Sequence, residues 1–395
     1  MQQNIWFTPE GIEDLLPDAA KKLEFYRRQL LDQFELAGYD LVLPPLAEFT
    51  DSLLTGKGQH LAVDTCRFTD QESGKMMGVR ADMTPQVARI AINRLKQHGI
   101  IRLCYVGEVL KTRNNKAKGS RSPIEVGAEL FGHSGVESDI EVIELMLASL
   151  RSIGLDDLTL SLGHVAIVDE LMTLANLSVS EKQTLVEILL RKSIPEYQDF
   201  IAERPLSNDL KQVFDRLPSL CGDAQTVLQE MQRLKTLSTT MQAHVNYLEN
   251  VLQWFGAFSN LNIHVDLADL RGYQYHTGMI FSCYAAGRKL YQLARGGRYD
   301  GIGSEFGSAQ LATGFSLDLR GMLDLLAFPK TQEKRVIYAP NCYDPVLIDA
   351  ISALKKQQCV VKHMYQLSDC PVGSEYLMLK ADEWVLQIKE SAIES

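Results

Sequence analysis

At 395 residues the chain is longer than one ordinary hydrophobic core, and two or three domains are expected. An apolar fraction of 46% with 23% charged residues is ordinary for a globular protein and excludes a disordered one. A net charge of −10 disfavours a broad electrostatic footprint on nucleic acid, although one basic loop could still act locally.

The opening stretch, MQQNIWFTPEGIEDLLPDAA, has neither a basic n-region nor an apolar h-region, and no later stretch reaches the length of a membrane span. A cytoplasmic location is therefore expected. The spacing of Leu23, Tyr26, Leu30, Phe34 and Ala37 predicts a helix over about 19–37, stopped at Gly38. A strand follows in YDLVLPPLAEF; because Pro44 and Pro45 cannot both sit in a central ladder, it should end there or lie on an edge near an interface. A hairpin turning at DQESG comes next. Thr84 is then expected to cap a helix with Pro85 at its first position, buried through Val87, Ile90, Ala91 and Leu95 and ended by Gly99. Arg80 and Asp82 lie just before its start.

The stretch IRLCYVGEVLKTRNNKAKGSRSPIEVGAELFG reads as a strand, a long loop and a returning strand. Leu103, Tyr105 and Val109, then Val126, Ala128 and Leu130, recur at about every second position, as a half-buried antiparallel pair requires. From Lys111 to Arg121 the loop carries five basic residues (Lys111, Arg113, Lys116, Lys118, Arg121) and no acidic one. Glu125 and Glu129, four positions apart on the returning strand, share one face of the sheet, with Val126 and Ala128 on the other. A carboxylate-bearing face beside a cationic loop suits a zwitterion. Residues 136–153 then read as an amphipathic helix and LTLSLGHV as a strand.

Residues 168–258 are rich in Leu, Gln, Glu and Lys at helical spacing and read as a helical insertion between two halves of a core, 1–167 and 259–329. The β pattern returns in NIHVDLADL, LRGYQYHTGMIFSCYA, ARGGRYDGIGSEFG and LATGFSLDLRGMLDLL. Pro329 and the polar segment after it mark a boundary, and residues 330–395 form a small α/β domain. Over 331–395 there are seven Lys and Arg against nine Asp and Glu, the opposite of a nucleic-acid-binding tail. The seven cysteines are scattered without a CxxC pair, which predicts reduced thiols; no disulfide framework, metal site or cofactor is expected.

Three clusters can carry chemistry. Asp82, Glu125 and Glu129 either bind an ammonium group or pair structurally with Arg80 or Arg121. Arg271, Gln274, Tyr275 and His276 in LRGYQYHTG either line a small polar pocket or cover a hairpin surface. The segment 296–307 either cradles phosphate through its backbone amides or makes tight turns; it lacks the GxxxxGK[ST] pattern. The basic loop is either a solvated loop or a contact for an anion or a partner.

In order, these segments resemble the catalytic core of class II histidyl-tRNA synthetases over about residues 8–327. GYDLVLPPLAE is similar to motif 1, with Pro45 at the motif's proline. VGEVLKTRNN through VGAELFG resembles motif 2, LRGYQYHTG the histidine-specific signature, and ATGFSLDLRGML motif 3; GGRYDG lies where that family has the same residues. The resemblance implies an α+β fold, an antiparallel sheet flanked by helices. It also implies an amino-acid pocket at Asp82, Thr84, Glu125, Glu129, Arg271, Gln274, Tyr275 and His276. Glu125 stands for a glutamine there and His276 for a second tyrosine.

The departures matter as much. The motif 2 arginine that grips ATP corresponds to Lys111, the acidic residue two positions on to Arg113, and the motif 3 arginine to Gly321. Lysine cannot reproduce a bidentate fork on phosphate, and glycine supplies no charge, so adenylation should fail. The basic anticodon-binding domain is replaced by the short acidic tail. Such a chain resembles the regulatory subunits of ATP phosphoribosyltransferase, which are paralogues of the synthetases. That resemblance implies no catalytic residue of its own and a short-form catalytic subunit as partner in a hetero-octamer containing a dimer of this chain. It further implies L-histidine as effector, no tRNA, and a place at the first step of histidine biosynthesis. An active histidine-activating ligase is the alternative.

Overall fold

The computed structural model describes residues 7–54, 61–95, 99–113, 120–285, 291–302, 309–329 and 334–390, and the expected loop residues Lys116 and Lys118 lie outside them. The chain forms two compact units, Met1–Phe328 and Pro329–Ser395.

In the larger unit the first helix, α1 (Pro17–Leu36), turns Leu23, Tyr26, Leu30 and Phe34 inward at helical spacing, and the chain reverses at Gly38 with a positive φ of 81°. Strand β1 is only Asp40–Leu41 and pairs parallel with β5 (Ile101–Glu108) at the sheet edge. The two prolines end it, and the Pro44 carbonyl accepts from the Arg80 guanidinium at 2.8 Å. A three-stranded sheet follows, β2 (Ala47–Phe49), β3 (Arg67–Thr69) and β4 (Met76–Val79), with short α2 (Thr50–Leu53) between the first two and the DQESG turn between the last two. Helix α3 (Thr84–Arg89) continues as one π-helical stretch, Ile90–Leu95.

Strand β6 (Ile124–Phe131) returns antiparallel to β5, and α4 (Val136–Ser152), β7 (Leu158–His164) and α5 (Val165–Leu174) follow. Next come α6 (Val179–Arg191), α7 (Ile194–Ala202), α8 (Asn208–Arg216), β8 (Cys221–Asp223), α9 (Ala224–Leu234) and α10 (Thr239–Gly256). The core is completed by β9 (Leu261–Asp266), β10 (Met279–Ala285), β11 (Tyr291–Arg298), β12 (Ala312–Asp318) and α11 (Leu319–Met322). Among the described residues these strands form one nine-stranded sheet in the order β1-β5-β6-β12-β11-β10-β7-β9-β8. It is antiparallel except at β1/β5 and β7/β9.

Two expectations need correction. The β5–β6 pair is not half-buried: all eight residues of β6 are buried. Val126, Ala128 and Leu130 join the main core with α1 and α4, while Leu103, Tyr105 and Val109 join a second cluster with Met83 and Val87 of the α3 region. With both faces covered, alternation separates two cores rather than core from solvent. The span read as a helical insertion is also not purely helical, since Cys221–Asp223 adds an edge strand to the main sheet. Residue 168, its expected start, falls inside α5.

The smaller unit contains β13 (Val336–Pro340), α12 (Pro345–Lys356), β14 (Val360–Met364), β15 (Glu375–Lys380) and β16 (Glu383–Ile388), with sheet order β14-β13-β15-β16. Ile337, Ala339, Leu347, Ile351 and Leu377 make its core. Asp344 caps α12 by accepting from the Val346 amide at 2.8 Å, Pro345 opens it, and Lys355 and Lys356 close its last turn. Among the described residues no helix is long and apolar enough to cross a membrane.

Candidate functional site

On the sheet face opposite α1 and α4 a cavity of about 1000 Å³ opens over β6, β12, β11 and β10. Glycines make room for it. At Gly314 an added Cβ would stand 1.6 Å from Glu129 Oε2, and at Gly296 2.2 Å from the Gly314 carbonyl. Gly296 and Gly297 therefore lie within β11 as part of the cavity floor. Neither the phosphate cradle nor the tight turn expected of 296–307 describes them, and residues 303–308 of that segment lie outside the described residues.

Glu129 is almost fully buried at the cavity wall. Its Oε1 accepts from Thr84 Oγ1 at 3.0 Å and from Tyr105 Oη at 3.1 Å, and its Oε2 accepts from Tyr299 Oη. Glu125 is buried beside it, its Oε2 accepting from the Met83 amide at 3.0 Å. Burial pushes both carboxyls up to about 8. For Glu129 that cost outweighs the three hydroxyl donors; for Glu125 it is reinforced by nearby Asp82 and eased by Lys111 and Arg295. Asp82 lines the cavity and accepts from the Thr84 amide at 2.8 Å.

Thr84 was expected as a helix cap, and this is corrected. Met83 occupies the cap position of α3 with no side-chain bond, and the Thr84 hydroxyl goes instead to Glu129. The structural pairing of the carboxylates with Arg80 or Arg121 is not realised among the described residues. Arg80 donates to the carbonyls of Glu108 and Pro44, both at 2.8 Å, and Arg121 Nε to the Lys111 carbonyl at 3.0 Å.

The LRGYQYHTG segment forms the facing wall. The Tyr275 and His276 amides both donate to the Gly272 carbonyl, a turn that Gly272 permits with φ of 78°. Tyr275 stacks on Tyr299 with ring centroids 5.0 Å apart, His276 meets Tyr275 edge-on at 5.3 Å, and Gln274 joins them in the lining. Arg271 reaches the cavity, but its guanidinium is engaged by Asp269, with Nε–Oδ1 at 2.9 Å, and by Tyr284 Oη at 3.1 Å. The side chain is 56% exposed, and the pairing with Asp269 offsets its charge.

Of the loop residues, Lys111 lines the cavity, whereas Arg113 pairs with Asp64 at 3.4 Å. Arg121 closes the loop base by bonding the carbonyls of Lys111 and Glu10. Gly321 does not face a cation site: its amide is bonded by Asp318 at 3.0 Å and its carbonyl by Tyr291 at 2.8 Å. No group of three or more His, Cys, Asp or Glu placed to hold a metal occurs among the described residues.

Sequence reasoning missed three parts of the site. Tyr105 and Tyr299 are the donors that hold Glu129, and only the alternation of β5 and the tyrosine of GGRYDG hinted at them. Helix α6 supplies a wall through Val179, Lys182, Gln183, Val186 and Glu187, which recur at helical spacing. Lys182 Nζ meets Asp169 Oδ1 at 3.3 Å, and Tyr273 Oη donates to the same oxygen at 2.7 Å, so α6 and the LRGYQYHTG segment share one carboxylate. Below the floor, Arg298 forms a buried ion pair with Asp139 at 3.1 Å, and Tyr247 of α10 donates to Asp139 at 2.8 Å.

A family model described as histidyl-tRNA synthetase matches residues 11–322. The chain is 72% identical over 389 residues to the ATP phosphoribosyltransferase regulatory subunit of Hydrogenovibrio crunogenus, covering 98% of this chain and all of the relative. It is 45% identical to that of Thioalkalivibrio sulfidiphilus, covering 90% of each. Among solved structures it is similar to an ATP phosphoribosyltransferase regulatory subunit/histidyl-tRNA synthetase from Bacillus halodurans, with a TM-score of 0.78 at 24% identity over 93% of this chain and 94% of that one. A histidyl-tRNA synthetase from Nostoc gives 0.73 at 18% identity, over 92% and 88%. The fold is thus the α+β fold of class II histidyl-tRNA synthetases, and with near-complete coverage by relatives of one kind the chain belongs to the family of ATP phosphoribosyltransferase regulatory subunits.

Proposed function

We propose that this chain is a non-catalytic subunit that activates a short-form ATP phosphoribosyltransferase catalytic subunit and carries feedback control by L-histidine. The setting is a cytoplasmic hetero-octamer built on a dimer of this chain, with no role for tRNA. The observation that carries the reading is the pair of buried carboxyls, Glu125 and Glu129, beside Asp82 in a cavity that Lys111 also lines; by the resemblance, Lys111 and Gly321 stand where the synthetases carry arginines. The carboxyls suit a cationic amino acid, whose ammonium offsets the cost of their ionisation. Histidine lies between that cluster and the LRGYQYHTG segment, with Thr84, Arg271, Gln274, Tyr275 and His276 around it. Because it can shift the partner only through a difference in affinity between two states, its binding must be weaker in the activating state. The basic loop (Lys111, Arg113, Lys116, Lys118, Arg121) is a contact for an anion or for a partner in the assembly.

The test is to add the purified full chain to the short catalytic subunit and follow product formation with and without histidine. Activation by the chain, and inhibition that Glu129→Gln abolishes while activation persists, is the expected result. Histidine-dependent exchange of pyrophosphate into ATP by the chain alone would instead make it a ligase and overturn the proposal.

A further inference from the structure

The cavity floor carries a charged side chain that neither the resemblance nor the expected pocket includes. Arg295 lies in the middle of β11, the fifth of nine strands, exposed to the cavity. An arginine at the centre of a large sheet is unusual and calls for a compensating partner. Among the described residues no hydrogen bond or ion pair engages its guanidinium, whereas Arg271 is held by Asp269 and Tyr284.

The register places hydroxyls on both sides of Arg295. It is directly opposite Ser316 on β12 and Ser282 on β10, and Ser282 is in turn opposite Ser161 on β7. Residues in one such row point to the same face, about 5 Å from strand to strand. All four line the cavity. Ser282 Oγ accepts from Gln292 Nε2 at 3.0 Å, which leaves its own proton to donate outward. The row therefore presents one cation and several hydroxyl donors, the complement of an oxyanion.

The same row continues to Gly127 on β6, midway between Glu125 and Glu129. Arg295 thus stands two strand spacings, roughly 10 Å, from the carboxyl cluster. Side chains from both ends shorten that gap to the span of an α-amino acid zwitterion hydrogen-bonded at its ammonium and its carboxylate.

We propose that Arg295, with Ser282 and Ser316, is the oxyanion subsite of this cavity and binds the carboxylate of the amino acid whose cationic groups sit at Asp82, Glu125 and Glu129. This rests on the histidine reading above and gives the carboxylate to Arg295 rather than to Arg271, whose guanidinium is engaged by Asp269 and Tyr284. A charge-assisted hydrogen bond of this kind corresponds to roughly a 10- to 100-fold change in affinity.

The experiment is calorimetric titration of the full chain with L-histidine and with L-histidinol, in which a hydroxymethyl group replaces the carboxylate. Wild-type protein should prefer histidine by that factor. In Arg295→Ala histidine affinity should fall to the histidinol level while histidinol affinity is unchanged, Arg295→Lys should recover part of the preference, and Arg271→Ala should keep it. Thermal unfolding checks that each variant is folded. Preference retained in Arg295→Ala, or abolished by Arg271→Ala instead, overturns the assignment. So does loss of both ligands by a folded Arg295→Ala protein. Inorganic pyrophosphate that binds together with histidine, at a site lost in Arg295→Ala, would give the row to a second anionic ligand and also overturn it. Failure of wild-type protein to bind histidine at all removes the histidine reading and this subsite with it; binding that ignores Arg295 removes the subsite alone.

Discussion

Binding of a cationic amino acid to this cavity should release protons. Burial holds Glu125 and Glu129 up to about 8, so at pH 7 each carboxyl in the unliganded protein is roughly nine-tenths protonated. An ammonium placed against them, already charged at pH 7, favours the ionised form, and a drop of either carboxyl below about 6 releases close to one proton. Histidine affinity should then rise with pH between 6 and 8, by roughly tenfold per unit for each proton released, and level off above. Titration calorimetry at pH 7 in buffers of different ionisation enthalpy measures the number directly. We expect release of about one to two protons, reduced by about one in Glu125→Gln. Heats independent of the buffer, or net proton uptake, would refute the reasoning, because they would mean that the carboxyls are already ionised or that the ligand does not meet them. The unliganded protein carries the matching signature. Both groups have folded-state values raised above the ordinary 4.5, so their contribution to stability is fully present below about pH 4.5 and is lost as pH rises through about 8.

Three further outcomes are expected. Gly314→Ala drives a methyl into Glu129 and the Ala128 carbonyl, and should lower stability by about 1–3 kcal/mol and weaken histidine binding together, as read by denaturant unfolding and calorimetry. Asp139→Ala removes the buried carboxylate paired with Arg298, whose guanidinium keeps Asp300 at 3.3 Å, and should cost up to about 3–5 kcal/mol in the same unfolding assay; a loss below about 1 kcal/mol would show that the pair is not structural. Tyr299→Phe removes a donor from Glu129 and the polar edge of the Tyr275 stack, which should raise the Glu129 carboxyl further. The onset of histidine binding should accordingly move to higher pH, and an unshifted pH profile would exclude Tyr299 from the site.

Much of the fold was legible because local physics settles it. The α1 stripe, the edge strand stopped by Pro44 and Pro45 and the DQESG hairpin each follow from residues adjacent in the chain. In the site, the period of two put Glu125 and Glu129 on one face correctly, and LRGYQYHTG does form the facing wall. Thr84 shows the limit. Its sequence context is that of a helix cap, but a buried carboxylate that needs donors outcompetes a helix end for the hydroxyl.

Residue order alone determined most of the elements and the shared face of the two glutamates, and the resemblance added the loss of arginine at 111 and 321. Those depend on alternation, spacing and residue type, which are properties of a few neighbouring positions. Only the tertiary structure decided what each charge faces. Sequence singled out Arg271 and passed over Arg295, yet the first is paired with Asp269 and the second lies beside Ser282 and Ser316 with no such partner among the described residues. Likewise Tyr105, Thr84 and Tyr299 meet at Glu129 from three separate segments, because folding joins positions up to 170 residues apart in the chain. Electrostatics inside a protein depends on distance and burial, and neither is a property of the sequence until the chain has folded.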